Sequence, residues 1–200
     1  LIARHATEST DAAAKLEGNA SACLLGVQQN GPFTVDRTVA LKWLSQPSLG
    51  PHISDVLKPW SNGKDITDRS SETWIIDFGL SMSESDAALV EGPFAYLTEH
   101  VKPMRLEGRR ESRKKYWWRL GEPSPALRRA LAPLPTFPAT PRVSKHRVWV
   151  QVDVRVLPDI QVVVVARSDD TTFGILHSRL HGLWSLRMGT SLEDRPRYTP

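Results

Sequence analysis

The string RRESRKKYWWRL, residues 109–120, sets six basic side chains, one carboxylate and three aromatic rings in twelve positions. Arginine and lysine neutralise phosphates and release their counterions, a force blind to base sequence. Aromatic rings interleaved with them can stack on exposed bases. Arg109, Arg110, Arg113, Lys114 and Lys115 are therefore candidate nucleic-acid contacts, weighed against a plain solvated helix face. Trp117 and Trp118 are adjacent and cannot both point the same way from a helix, so at least one is expected in the core, anchoring the basic segment. A second basic string, TPRVSKHRVWV (140–150), places Arg142, Ser144, Lys145, His146 and Arg147 just ahead of a strand. A loop held by a rigid sheet can reach phosphates and base edges, although a charged surface turn fits the composition equally well. Precision favours the turn for base reading, with arginine paired to guanine, and favours residues 109–115 for phosphates.

The formal net charge of +4 hides an asymmetry. Residues 101–147 carry 13 Lys and Arg against Glu107, Glu111 and Glu122, a net of +10, whereas the rest of the chain is at −6. A basic stretch set in an acidic body is the footprint of a polyanion binder.

Other strings resemble catalytic motifs without the context that gives them meaning. Asp77-Phe78-Gly79 matches a kinase triplet, but the Gly-rich loop and catalytic loop that belong with it are missing, so it reads as a strand end and turn. His177 and His181 have metal-ligand spacing on a helix, yet no Glu follows the first and no third ligand is evident; a hydrogen-bonding pair is the better reading. Asp169-Asp170 and Gln161 make no nuclease constellation, and neither a P-loop nor Gly-x-Ser-x-Gly occurs. No catalytic, cofactor-binding or metal-binding residues are assigned.

These residues must be positioned by an ordinary folded body. The chain has 200 residues, 40% hydrophobic and 24% charged, enough for one domain with a proper core. No apolar run approaches the roughly 20 residues of a membrane helix; the longest, 162–166, reads as a buried strand. A single cysteine, Cys23, excludes an internal disulfide framework and fits a reducing, cytoplasmic setting. The chain opens on LIARHATEST with no initiator Met, which reads as a piece of a longer polypeptide.

Residues 22–27 and 32–36 read as a hairpin-like pair around QQNG. Asp36 is placed to cap a helix carrying Val39, Ala40, Trp43 and Leu44 and ended by Pro47. Residues 55–67 read as a loop turning at Asn62-Gly63, and 73–79 as a buried strand. Ser83 and Asp86 form a capping box for a helix that Pro93 interrupts and residues 94–101 resume. Residues 105–119 are expected as one amphipathic helix, then a Pro-punctuated stretch with a short helix at 126–131. Strands at 148–154 and 161–167 and one closing helix at 173–188 complete the reading. Without regular βαβ spacing, the class is α+β with a mixed or antiparallel sheet and packed helices.

Five strings, VLKPWSNGKDIT, WIIDFG, RRESRKKYWWRLGEPSPALRRAL, ATPRVSKHRVWV and ARSDDTTFGILHSRLHGLWSLRMGTSL…PRYTP, run in order along nearly the whole chain. Together they resemble the target recognition domain of the fused type IIG/IIL restriction–modification methyltransferases. More loosely, they resemble the specificity domain of gamma-class adenine-N6 DNA methyltransferases. The resemblance implies a specificity-domain-like fold over 21–190, residues 1–20 as the connection from an upstream methyltransferase domain, and 191–200 as a C-terminal extension. It also implies double-stranded DNA and that upstream domain as partners, and S-adenosylmethionine as the cofactor of the parent enzyme but not of this segment. The family's Asn-Pro-Pro-aromatic and Gly-rich cofactor motifs have no match in these 200 residues. Three rivals differ in class: a small self-sufficient nuclease, an RNA- or single-strand-binding module using the tryptophans as platforms, and a protein-interaction domain with an incidental basic face.

Overall fold

The computed structural model describes residues 21–46, 51–192 and 195–199. The expected connection at 1–20 and the stop at Pro47 lie outside them. In chain order the elements are β1 (Cys23–Leu25), β2 (Thr34–Val35), α1 (Arg37–Leu44), α2 (Ile53–Val56), β3 (Leu57–Ser61), α3 (Gly63–Thr67) and β4 (Trp74–Ile76). A helical run follows: α4 (Glu84–Ala88), α5 (Glu91–His100), α6 (Lys102–Glu107), α7 (Glu111–Lys115) and α8 (Pro125–Leu131). Then come β5 (Thr136–Pro141), β6 (Val150–Asp153), β7 (Leu157–Pro158), β8 (Val162–Val165), α9 (Asp170–His177), α10 (Arg179–Met188), β9 (Thr190–Leu192) and β10 (Arg195–Arg197). Among them no helix is long and apolar enough to cross a membrane.

The class is α+β as expected. One four-stranded sheet, ordered β1-β8-β5-β6, is antiparallel throughout. A second, β2-β4-β3-β7, is mixed, because β3 and β7 run parallel. All four β8 valines are buried, and their alternation splits them between two cores. Val162 and Val164 join the main core with Phe33, Phe78, Phe137, Ile75 and Leu97. Val163 and Val165 face a second cluster with Trp149, Leu176 and Tyr198. The folded unit therefore continues past residue 190, since Tyr198 fills that second core and β9 pairs with β10.

Several local expectations are corrected. The strands at 23–25 and 34–35 do not form a hairpin: β1 pairs with β8 and β2 with β4, in different sheets. A strand buried on both faces needs neighbours on both edges, and β1 supplies one to β8. Asn62-Gly63 is a helix start rather than a loop turn; Asn62 accepts from the amides of Lys64 and Asp65 while the Asp65 carboxylate accepts from the Asn62 amide. The closing helix is two helices broken at Ser178, whose hydroxyl caps α10 through the His181 amide. Strand β5 lies in the proline-punctuated stretch. It tolerates Pro138 and Pro141 because pairing with β8 begins at Ala139 and pairing with β6 ends there, so each missing N–H falls beyond a neighbour's ladder.

The Asp77-Phe78-Gly79 triplet is structural. The Asp77 carboxylate, almost wholly buried, accepts from both Arg128 Nη atoms at 2.8 and 3.0 Å and lies 3.5 Å from Lys58 Nζ. Burial pushes its pKa up, but the Arg128 hydrogen bonds and charge, Lys58 and the Gly79 amide outweigh this and hold it below the ordinary value.

Candidate nucleic-acid interface

The first basic segment is not one long helix. Gly108 ends α6 in extended conformation, Arg110 is extended too, and α7 has only five residues. Both tryptophans are core. Trp117 is 3% exposed, packs on Phe94 at 5.2 Å and donates to Glu84 Oε1 at 3.0 Å. Trp118 is 4% exposed and donates to the Met82 carbonyl at 3.2 Å. Arg119 adds bonds to the Leu80 and Met82 carbonyls. The two tryptophan rings serve as anchors, and neither leaves a face on which a base could stack.

Anchored this way, the segment turns its cations outward to different degrees. Arg109 and Lys115 are exposed. Arg110 and Arg113 share one carboxylate, Glu122 Oε1, at 3.7 and 3.5 Å. Lys114 pairs with Glu111 at 2.7 Å. Behind them lies a residue the sequence did not flag. Arg105 is 4% exposed, sits over the Phe33 ring and donates from Nη2 to the carbonyls of Gln29 and Arg119. Burial, with the like charge of Arg113, lowers its pKa to about 10.

The second segment divides its residues differently. Arg147 is committed to the fold: Nη1 donates to Thr140 Oγ1 at 3.1 Å and to the Pro141 carbonyl, and Nη2 approaches the Pro196 carbonyl. Its guanidinium lies 5.2 Å from the Tyr198 ring centre. Burial lowers its pKa, and Tyr198 works against this. Both Arg147 Nη atoms thus bond the fold itself, which makes this side chain a pillar of the turn. Ser144 is also turned inward, its hydroxyl donating to the His146 carbonyl at 2.7 Å. Lys145 and His146 point to solvent. Arg142 is half-buried beside Arg197, and its pKa is lowered by burial and by that neighbour. The turn is braced from behind: the Tyr198 amide donates to the Arg142 carbonyl, the Ser144 amide to that of Pro196, and Val143 bridges Arg197.

Register ties both segments to one end of the first sheet. Pro141 lies opposite Val162, and the Arg142 amide donates to the Gln161 carbonyl. On the other side of β8 the Gly26 amide donates to the Val162 carbonyl. The chain leaving Gly26 is then laced to residues 121–122, through Gln28 to the Glu122 carbonyl and Gly121 to that of Gln29. Glu122 holds Arg110 and Arg113. The first turn of α3 lies at the same end, because a Cβ on Gly63 would meet the Gln161 carbonyl at 3.5 Å and Pro141 Cβ at 3.6 Å. Lys64 and Arg197 thus join the candidates without having been flagged, since their neighbours come from distant parts of the chain.

The histidines are hydrogen-bonding groups. They belong to separate helices: His177 Nε2 meets the Trp149 carbonyl at 3.1 Å, and His181 bridges the Leu176 carbonyl and the Tyr198 hydroxyl. Burial lowers the His181 pKa.

No family model matches the sequence, and a search of curated proteins finds no match. The fold is similar to that in the structure of the Type IIL restriction-modification enzyme MmeI in complex with DNA. The TM-score is 0.64 over 93% of this chain at 17% identity. The chain spans 24% of that much longer chain. At this identity the likeness establishes the fold.

Proposed function

We propose that this chain reads duplex DNA for a restriction–modification methyltransferase, as the target recognition part of a larger polypeptide. The observation that carries the reading is the union of two rigidly braced basic segments at one end of a single sheet, in a fold shared with an enzyme solved on DNA. The division of labour follows from their construction. Residues 109–115 present closely spaced cations suited to phosphates, which set register without carrying sequence information. The turn at 142–147, with Arg142, Lys145 and His146 as its outward groups, and Arg197 beside it, is the reading element.

The parent would transfer a methyl group from S-adenosylmethionine to the exocyclic amine of an adenine swung out of the duplex. The Asn-Pro-Pro-aromatic and Gly-rich motifs that such chemistry uses do not occur in these 200 residues, and the transfer would fall to another domain of the parent. The role of this chain is to hold the duplex while that domain acts. Cys23 is compatible with a reducing cytoplasm, and burial pushes its thiol up to about 11, well away from reactivity. The burial of Trp117 and Trp118 counts against a single-strand-binding module.

Fluorescence anisotropy with duplex DNA, and with single-stranded DNA and RNA of equal length, tests the reading. Duplex should bind best, and neutralising about 4–6 phosphates should give a slope of log K against log salt of roughly −4 to −5. A slope near zero, or tighter binding to single strands, would reject it. In the complete methyltransferase, changing Lys145 or Arg142 to Ala should alter the methylated sequence at one position, mapped genome-wide, whereas Arg109→Ala should lower methylation equally at all sites.

A further inference from the structure

Between the end of α6, α7 and the Asn30-Gly31 turn lies an open depression of about 310 Å³. Arg105, Arg109, Arg110, Arg113 and Asn30 line it. Four arginines therefore line one small volume, together with Met104 and Gly108. Arg110 and Arg113 share one carboxylate, that of Glu122. Arg105 is paired with no carboxylate among the described residues. Its Nη2 donates to carbonyls; Nε, Nη1 and the Asn30 Nδ2 are buried with no hydrogen-bond partner among the described residues.

A buried guanidinium with idle donors and no opposite charge is costly, and folds retain such groups where something completes them. Guanidinium and amide nitrogens are donors only. Whatever completes this site must accept hydrogen bonds and bring negative charge. The exposed side chains of Arg109 and Arg110 at the rim can grip it directly, while Arg105 supplies unscreened positive potential from below, where water does not dilute it. Because Arg110 stands 65% exposed, the anion can remain attached to a much larger molecule.

We infer that this depression is a discrete oxyanion seat and that its occupant is a single phosphodiester of the bound duplex, gripped by Arg109, Arg110 and Arg113 over the buried charge of Arg105. This rests on the duplex-reading function and sharpens it: one backbone phosphate is fixed far more tightly than its neighbours, and the register of the reading turn is counted from it.

The test uses inorganic phosphate and a short duplex with the 200-residue chain. Equilibrium dialysis in low-chloride buffer should show saturable uptake of a single equivalent of phosphate. The double variant Arg109→Gln/Arg110→Gln, in which both side chains are exposed and the fold is spared, should weaken uptake by about tenfold or more. The charge-matched control Lys42→Gln/Arg129→Gln, in exposed helical positions, should not. Arg105→Gln should also abolish uptake, with circular dichroism confirming the fold. Added duplex should displace the phosphate. Uptake that is unsaturable, or unchanged in the rim variant, overturns the seat even if DNA binds well elsewhere. Uptake that survives saturating duplex overturns the phosphodiester assignment. If phosphate binds and duplex does not bind at all, the duplex-reading function itself fails and the seat belongs to a free anion.

Discussion

Glu122 is the acid that holds back the basic face, and removing its charge should strengthen DNA binding. Its carboxylate lies 3.5 Å from Arg113 Nη2 and 3.7 Å from Arg110 Nη1, about half exposed. Exposed ion pairs of this kind are worth between 0 and about 1 kcal/mol each, so Glu122→Gln should cost little stability. A phosphate gripped by Arg113 through a charge-assisted bond of about 2.8 Å would sit roughly 6 Å from that carboxylate. Two like unit charges at that separation repel by about 0.7 kcal/mol even at the dielectric of water. That is about a threefold loss of affinity for the one phosphate held by these arginines. Glu122→Gln should therefore bind duplex about 3 times more tightly near 0.01 M salt, where the Debye length is about 30 Å. The salt slope should steepen by about one unit as the freed arginines release more counterions. Anisotropy titrations across a salt series, with thermal melting as the control for folding, measure both. General damage to the fold can only weaken binding, so a gain is diagnostic. Unchanged affinity with an unchanged slope would refute the placement of phosphates on these arginines.

Three further outcomes are expected. Arg128→Met strands the buried Asp77 carboxylate and should cost about 3–5 kcal/mol, a fall in Tm of about 6–20 °C. Because the folded pKa of Asp77 is depressed, its stabilisation is present above the unfolded value of about 3.9 and is lost as pH falls through the folded value, so acid melts of the native chain should steepen below about pH 4 and those of Arg128→Met should not. Arg147→Met leaves Thr140, Pro141 and Pro196 without their donor and should lower stability by about 2–3 kcal/mol, whereas Lys145→Ala should leave Tm unchanged; equal melting temperatures would reject the pillar role. Gly26→Ala would place a Cβ 2.1 Å from the Asp159 carbonyl oxygen and 2.3 Å from that of Pro158, and urea unfolding should show a loss of about 3 kcal/mol or more.

Local physics was legible in the sequence and long-range pairing was not. Asp36 caps α1 because a carboxylate before a helical pattern has one obvious use, and its Oδ1 accepts from the Val39 amide at 2.9 Å. Ser83 caps α4 in the same way. The run of four valines announced a strand buried on both faces, whatever its partners. The partners themselves depend on register between segments more than a hundred residues apart, as with Cys23 opposite Val165. The strand β5 was hidden because proline argues against a central strand, and only the staggered ends of the two ladders make it admissible. The break at Gly108 was written in the sequence as a glycine within an amphipathic pattern, but periodicity outweighed it.

The candidate site shows the same limit at the level of single side chains. Composition located both basic segments, yet Arg105 and Arg147 read like any other arginines. What separates them from Arg109 or Lys145 is the set of carbonyls that folding brings to them: Gln29 and Arg119 in one case, Pro141 and Pro196 in the other. Each places a cation under a basic segment, where it costs desolvation but adds stiffness. The tryptophans do the corresponding work for residues 109–115 by reaching back to Glu84 and Met82. Both segments are thus rigid with respect to the same sheet, on either side of Val162. A duplex held at one segment would meet the other at a fixed distance along its backbone. On the proposed function, that fixed distance would convert a sequence-blind phosphate grip into a register for reading. The same function would account for the arginines spent on the chain's own carbonyls, since an interface for a polyanion needs a frame that does not yield.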